Sequence, residues 1–489
     1  MKNIKNLLYA VYSILFFVIC AVPAISMVLN SSEDDSTSEN RQLAEMPKFQ
    51  NEDGNFNQNW STEFQAYVSD HFGFRQELVK ADSTLKANLF HFSAEDDVII
   101  GKDGWLYYTP TVNDYIGKAT ISDLGLQNII INLKLMQEYA ESQGSEFYIT
   151  IVPNKNTVYP EYMPNYYKNY GTSNNLDNLE NLLFASDLNY ISLKNALLQQ
   201  AENSEILIYH KQDTHWNNTG ALLGYRAIMN ATSLDYNSYE NTSYVINQDW
   251  QGDLQNMLFP DSDILDDNSN YNIDFNYTYQ GHYRDADDIT INTINSNANN
   301  TDSLLMFRDS FGEAIIPYLS QNFQMARYSR ARPYPLYNLE MNDFDVVIME
   351  IVERNISWIQ KEAPMHGAIQ VNSDSVPLSM ASFSPFTECY TDVNGSFLHV
   401  YGTIDLPDDL KTAPEYIVTL ESPSGDSISY KAYHCYEADK LGQEDIQDNG
   451  YSLYIPVSDL QEGVSYEAHI TIVSPDIVYV SSLGDIILP

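Results

Sequence analysis

The chain is 489 residues long and carries 67 acidic against 25 basic side chains, a net charge of −42. A surface that negative repels phosphate backbones and anionic headgroups, which argues against nucleic acid as a partner. The length exceeds one typical core and points to two or three folded units, while 37 tyrosines suit polar, aromatic-lined surfaces without specifying a ligand.

Lys2 and Lys5 precede an apolar run from Leu7 to Leu29, and Glu33, Asp34 and Asp35 follow it. The run reaches the roughly 20 residues that a bilayer-spanning helix needs, and the charge asymmetry places everything after Asn30 outside the cell. Pro23 spoils a small-residue cleavage site at Ala21-Val22-Pro23-Ala24, and Ile19 before Cys20 does not suit lipid attachment. Residues 1–30 therefore read as an uncleaved signal anchor, a transmembrane helix, with cleavage as the alternative. Residues 31–56 are polar and aperiodic, a tether. Phe64, Tyr67, Val68 and Phe72, then Leu78, Leu85 and Leu89, recur at helical spacing. Gly101 to Tyr108 reads as a turn leading into a short strand.

Helix and strand then alternate. The pattern predicts helices over 124–142, 176–184, 194–202 and 313–320, and strands over 146–152, 188–193, 206–209, 303–307 and 344–351. Such alternation implies a mainly parallel α/β sheet covered on both faces, with ligands beyond the carboxyl ends of its strands. Residues 237–300, rich in Asn, Asp and Tyr, read as long surface loops. After Pro364 short alternating runs separated by Pro, Gly and Asp turns predict a C-terminal β-sandwich. The expected organisation is an anchor (1–30), a tether (31–56), an α/β domain (57–363) and the sandwich (364–489). Cys389 and Cys435 both lie in the sandwich, and pairing or separate thiols are equally open.

Two short motifs carry the chemistry. In Asp309-Ser310-Phe311-Gly312, Ser310 stands where an apolar strand hands over to a helix, so its hydroxyl is presented at the sheet edge and the amides of Phe311 and Gly312 are candidate oxyanion donors. The competing role for Ser310 or Asp309 is an ordinary N-cap. In Asp213-Thr214-His215-Trp216, the spacing lets the Asp213 carboxylate orient the His215 imidazole, which would deprotonate Ser310 and later protonate a leaving group. Trp216 reads as a core aromatic, and an Asn or Thr of Asn217-Asn218-Thr219 as the cap of the next helix. No H-E-x-x-H and no paired C-x-x-C is present, so no metal or cofactor is expected.

Together with Gly104-Trp105-Leu106-Tyr107, Val152-Pro153-Asn154-Lys155 and Tyr159-Pro160, these motifs occur in an order that resembles the alginate O-acetyltransferases of the AlgX and AlgJ type and the related DHHW family. The resemblance covers roughly residues 60–360. It implies an SGNH-hydrolase-like (flavodoxin-like) three-layer domain in which Asp and His precede Ser, with Ser310 as nucleophile, His215 as base and Asp213 as orienting acid. Arg308 stands where alginate-type members usually have glycine. Asn154 and Lys155 are candidates for positioning substrate. Asp70-His71-Phe72 with Arg75 resembles an early structural motif of the group, and Glu350, Glu353 and Arg354 are expected to form an ion-paired strand end or to border the cleft. The family implies an extracytoplasmic O-acetyltransferase acting on a cell-surface or secreted polysaccharide, supplied with acetyl by a membrane-bound O-acyltransferase partner. An acetylesterase using the same triad and a non-catalytic surface protein are the alternatives.

Overall fold

The computed structural model describes residues 2–29, 35, 36, 41, 42, 44, 46–50, 56, 57, 59–74, 93, 95–118, 121–168, 174–259, 262–281, 288–341, 344–377, 385–407, 410–443, 445–475 and 478–488. They divide into two compact units. The first comprises residues 1–109 with 211–213 and 249–266; the second comprises 110–210, 214–248 and 267–489.

In the first unit Lys2–Leu29 is helical, with Pro23 inside it. Among the described residues no helix is long and apolar enough to cross a membrane. A second helix, Trp60–Asp70, carries Trp60 stacked between Phe49 and Phe64, at 4.5 and 4.8 Å. His71 ends it, its amide and ring both directed at the Tyr67 carbonyl. Arg75, Leu78, Leu85 and Leu89 fall outside the described residues. Val98–Ile100 pairs with Leu106–Tyr108 as a hairpin, whose turn places Asp103 (φ 53°) and Gly104 (φ 82°) in the left-handed region that glycine enters without cost. Val98 and Leu106 bury themselves against Leu254 and Leu258 of the short helix Asp253–Leu258.

The second unit is built on a seven-stranded sheet. In chain order its strands are β1 (Glu146–Val152), β2 (Tyr190–Ser192), β3 (Thr278–Gln280), β4 (Thr290–Ile294), β5 (Asn300–Phe307), β6 (Phe323–Ser329) and β7 (Val346–Val352), and their spatial order is β2-β1-β7-β5-β6-β4-β3. The pairs from β2 through β6 are parallel, and β4 and β3 extend the sheet antiparallel. Every residue of β7 is buried, as a central parallel strand covered on both faces requires. The helix Asp123–Ser142, capped by Ser122 onto the Gly125 amide, presents Ile129, Leu133 and Met136 to the core formed with Phe147, Ile149, Leu305 and Val347.

The structure departs from the sequence pattern in three places. Residues 206–209 form no sheet strand: Tyr209 makes an isolated bridge with Trp216, and the Ile208 amide donates to the Tyr159 hydroxyl at 3.1 Å. Four residues whose polar backbone groups find such local partners have no need of a ladder. The 237–300 segment is not loop throughout, since it supplies β3 and β4. There Thr293 takes an inward position normally filled by an apolar residue, its hydroxyl donating to Ser320 Oγ at 2.9 Å. Strand β6 was masked by exposed Gln324 and Met325 and half-buried Arg327, which break its alternation.

The C-terminal strands form a sandwich. Gln370–Val371, Ser427–Ala432, Glu415–Glu421, Ser465–Val473 and Val478–Ile487 make one antiparallel sheet, and Thr387–Asn394, Phe397–Ile404 and Gly450–Pro456 the other. Leu398, Val400, Leu453 and Ile455 share a core with Val418, Leu420, Ala468 and Ile470. Cys389 and Cys435 are separate free thiols. Cys435 is buried against Asn132, which joins the two parts of the unit: its Nδ2 donates to the carbonyls of Ile359 (2.9 Å) and His434 (3.0 Å), and its Oδ1 accepts from the His434 amide (2.7 Å). Asn132→Ala would strand these buried groups and should lower the unfolding free energy by about 2–4 kcal/mol. Denaturant unfolding checks this, and a loss below about 0.5 kcal/mol would refute the joint.

Candidate active site

Strand β5 runs buried to Phe307, and the 3-10 turn Phe311–Ile315 begins four residues later. Ser310 occupies the N-cap position of that turn but makes no side-chain capping bond. Asp309 does that work. Its Oδ1 accepts from the Phe311 amide at 2.9 Å, and its Oδ2 accepts from the Val352 amide at 2.8 Å and from Asn355 Nδ2 at 3.2 Å. The Ser310 hydroxyl lies 2.8 Å from His215 Nε2. This is the geometry of a nucleophile and its base, within hydrogen-bond reach, and it separates Ser310 from the capping role.

His215 sits in an irregular loop whose ends are tied together by the Tyr209–Trp216 bridge and by Asn217 N donating to the Ile208 carbonyl at 3.1 Å. The loop is anchored beyond it. Trp216 is buried, its indole donating to the Phe311 carbonyl at 3.0 Å, and Asn217 caps the helix Asn218–Thr232 through the amides of Thr219 and Gly220. The His215 ring lies 4.7 Å from the Phe311 ring, and its Nδ1 lies 3.1 Å from Thr214 Oγ1. Asp213 belongs to the first unit and is buried there. Its Oδ2 accepts from Trp250 Nε1 at 2.9 Å and from the Asp253 amide at 3.0 Å, so the carboxylate is held in a fixed orientation. Thr214 alone separates it from His215 in the chain.

Behind the nucleophile lies a buried acid in an apolar strand. Glu350 of β7 is 1% exposed, and its Oε2 accepts from the Asp309 amide at 3.1 Å. Burial, with the Asp309 charge beside it, holds its carboxyl well above the usual range. Arg308 is buried too, its guanidinium donating to the Asp309 carbonyl at 3.1 Å, and burial weakens its hold on its proton. A Cβ on Gly312 would meet Arg308 Cβ and Glu350 Oε2, each at 2.7 Å. Glycine is thus required where the turn crosses these two side chains.

The remaining sequence candidates occupy supporting positions. The Phe311 amide is engaged by Asp309, which leaves Gly312 as the candidate oxyanion donor of that pair. Asn154 and Lys155 begin a short helical turn after β1: the Asn154 amide donates to Glu353 Oε2 at 2.7 Å, and the buried Lys155 ammonium donates to the His210 carbonyl at 3.2 Å. Glu353 is not the ion-paired strand end expected from the sequence. It is buried and held by hydrogen bonds from Asn154 N, Thr157 Oγ1 (2.7 Å) and Asn174 Nδ2 (2.8 Å). Burial and nearby Asp114 push its carboxyl up to about 8. Arg354 lies over the Phe311 ring at 5.2 Å. Sequence reasoning missed the Asp309 clamp and the need for Gly312. The visible signal was Glu350, a single carboxylate in an otherwise apolar run.

Comparisons with known proteins agree with the resemblance to AlgX and AlgJ. Residues 98–278 match a family model described as the SGNH hydrolase-like domain of acetyltransferase AlgX. That stretch includes Asn154, Lys155, Asp213 and His215 and ends before Ser310. A protein of Pseudomonas syringae pv. tomato described as a probable alginate O-acetylase, AlgJ, is 28% identical over 176 residues, which are 34% of this chain and 40% of that protein. The chain thus spans two-fifths of the length of that relative. Among solved structures, Bacillus cereus PatB1 with a sulfonyl adduct is 21% identical and aligns over 53% of this chain and 97% of its own, with a TM-score of 0.42. The O-acetyltransferase domain of Pseudomonas putida AlgJ is 19% identical over 53% of this chain and 92% of its own, with a TM-score of 0.34. The resemblance to AlgX and AlgJ is therefore shown for part of the α/β region.

Folded Glu353 keeps its proton to about pH 8, against 4.5 for its ordinary value. The folded state then binds more protons than the unfolded one between those limits, so this group's contribution to stability is full below pH 4.5 and is lost as pH rises through 8. Glu353→Gln should flatten the fall in unfolding free energy across that window. An unchanged slope in denaturant melts at several pH values would show the raised affinity to be wrong.

Proposed function

We propose that the chain is an O-acetyltransferase that moves an acetyl group through Ser310 to a hydroxyl of a polysaccharide outside the cell. The 2.8 Å approach of Ser310 Oγ to His215 Nε2 carries this reading. Ser310 Oγ attacks the carbonyl of an acyl ester donor and passes its proton to His215 Nε2, which delivers that proton to the departing alcohol. A sugar hydroxyl then attacks the acyl-serine, gives its proton to His215, and Ser310 leaves with that proton restored. Asp213, oriented by Trp250 and Asp253 and two positions before His215, serves as the acid that fixes the imidazole and stabilises its charged form. The Gly312 amide is the proposed donor to the developing oxyanion.

Lys2 and Lys5 before the apolar run and Glu33, Asp34 and Asp35 after it support placing the catalytic part outside the cell. That placement lacks acetyl-CoA and calls for a membrane-bound O-acyltransferase as the source of acetyl. Division of the exported part at 363/364, with the sandwich as a separate domain, belongs to the same reading.

Ser310→Ala and His215→Ala should each lower hydrolysis of an acetylated chromogenic ester by at least about 10³-fold. Activity unchanged in both variants would sink every enzymatic reading. With a labelled acetyl donor and an oligosaccharide, labelled sugar marks transfer, whereas labelled acetate alone would make the protein an esterase.

A further inference from the structure

A cleft of about 650 Å³ opens in the second unit beside the nucleophile turn, a size suited to a small-molecule or sugar ligand. One wall is the 3-10 segment Glu353–Gln360 that follows β7, and the facing wall is the 445–448 loop of the sandwich. The wall and the nucleophile share parts. Arg354 lines the cleft and covers the Phe311 ring at 5.2 Å, and Asn355 of the same segment donates to Asp309 Oδ2 at 3.2 Å. The facing loop is held in place rather than draped. Asp448 accepts from Gln360 Nε2 at 3.2 Å and from the Ser122 hydroxyl, and its carbonyl accepts from Asn128 Nδ2 at 2.9 Å.

On the reading of Ser310 as an acyl-transfer serine, we propose that this cleft is the acceptor subsite and that it takes a saccharide without carboxylates. Its lining presents Asp114, Glu353, Asp445 and Asp448, with Gln360 and Asn175, against Arg354 as the basic residue. The exposed Asp445 carboxylate, with Asp448 beside it, is placed to accept hydrogen bonds from sugar hydroxyls, whereas Glu353 is already held by Asn154, Thr157 and Asn174. A uronate placed there would set like charges face to face across a partly desolvated cleft, which is how interfaces reject wrong partners. Asp445, exposed on the 445–448 loop, and Asp448 of the same loop are the carboxylates placed to meet a carboxylate on the ligand. The polymer class therefore differs from the polyuronate in the names of the AlgJ and AlgX proteins.

The test uses the full chain carrying Ser310→Ala, so binding is read without turnover. Calorimetric titration with chitotetraose and with tetragalacturonate should show the neutral tetrasaccharide bound more tightly by on the order of tenfold or more. Asp445→Lys, at an exposed position, should narrow that gap to within about threefold, and Ser357→Trp, which fills the cleft, should weaken chitotetraose binding by on the order of tenfold. Tighter or equal binding of tetragalacturonate, no binding of either sugar, or no effect of either substitution in a chain with an unchanged melting temperature would overturn the proposal. Failure of the catalytic reading appears separately, as ester hydrolysis indifferent to Ser310→Ala.

Discussion

The carboxylate of Asp309 is the contact on which the arrangement around Ser310 depends. One oxygen holds the Phe311 amide at the start of the 3-10 turn, and the other holds the Val352 amide and Asn355 at the end of β7. A single side chain thus caps the turn and pins it to the neighbouring strand. Because that capping need is met, the Ser310 hydroxyl is released to face His215. Both carboxylate oxygens receive charge-assisted bonds from buried or part-buried donors, the kind that are shorter and stronger than neutral ones.

Beneath the clamp the protein buries two ionisable groups at the end of an otherwise apolar sheet. Arg308 and Glu350 flank Gly312 and leave no space for a Cβ, so the nucleophile turn lies directly on an acid and a base. Isolated buried charges are costly. Here the Glu350 carboxyl accepts from the Asp309 amide and the Arg308 guanidinium donates to the Asp309 carbonyl, so both ionisable groups support the backbone that presents Ser310. The adjacent segment 353–360 carries the same logic outward, with Glu353 satisfied by three donors and Arg354 laid over Phe311.

Much of the α/β region was legible because its strands and helices announce themselves locally. Glu146–Val152 is apolar and bounded by Gly144 and Pro153, and the helix before it has its cap in Ser122. Strands β3, β4 and β6 were not legible, since their inward positions are filled by residues such as Thr293 that read as polar until a partner such as Ser320 is placed beside them. Within the site, Ser310 and His215 were legible as candidates from motif order. The duty of Asp309 was not, because a cap and a clamp have the same sequence signature until the second strand is in position.

By itself the sequence determined a strand that delivers Ser310 at its carboxyl end, the residue types of an acyl-transfer centre, and a C-terminal run of antiparallel strands. These follow from local periodicity, turn chemistry and side-chain reactivity. Only the tertiary structure decided that Ser310 is paired rather than capping, that His215 reaches it from an irregular loop 95 positions away, and that a sandwich loop and the 353–360 segment line one cleft. Those outcomes rest on packing between distant segments, where Trp216, Phe311 and Arg354 come to share one small volume that no local pattern encodes.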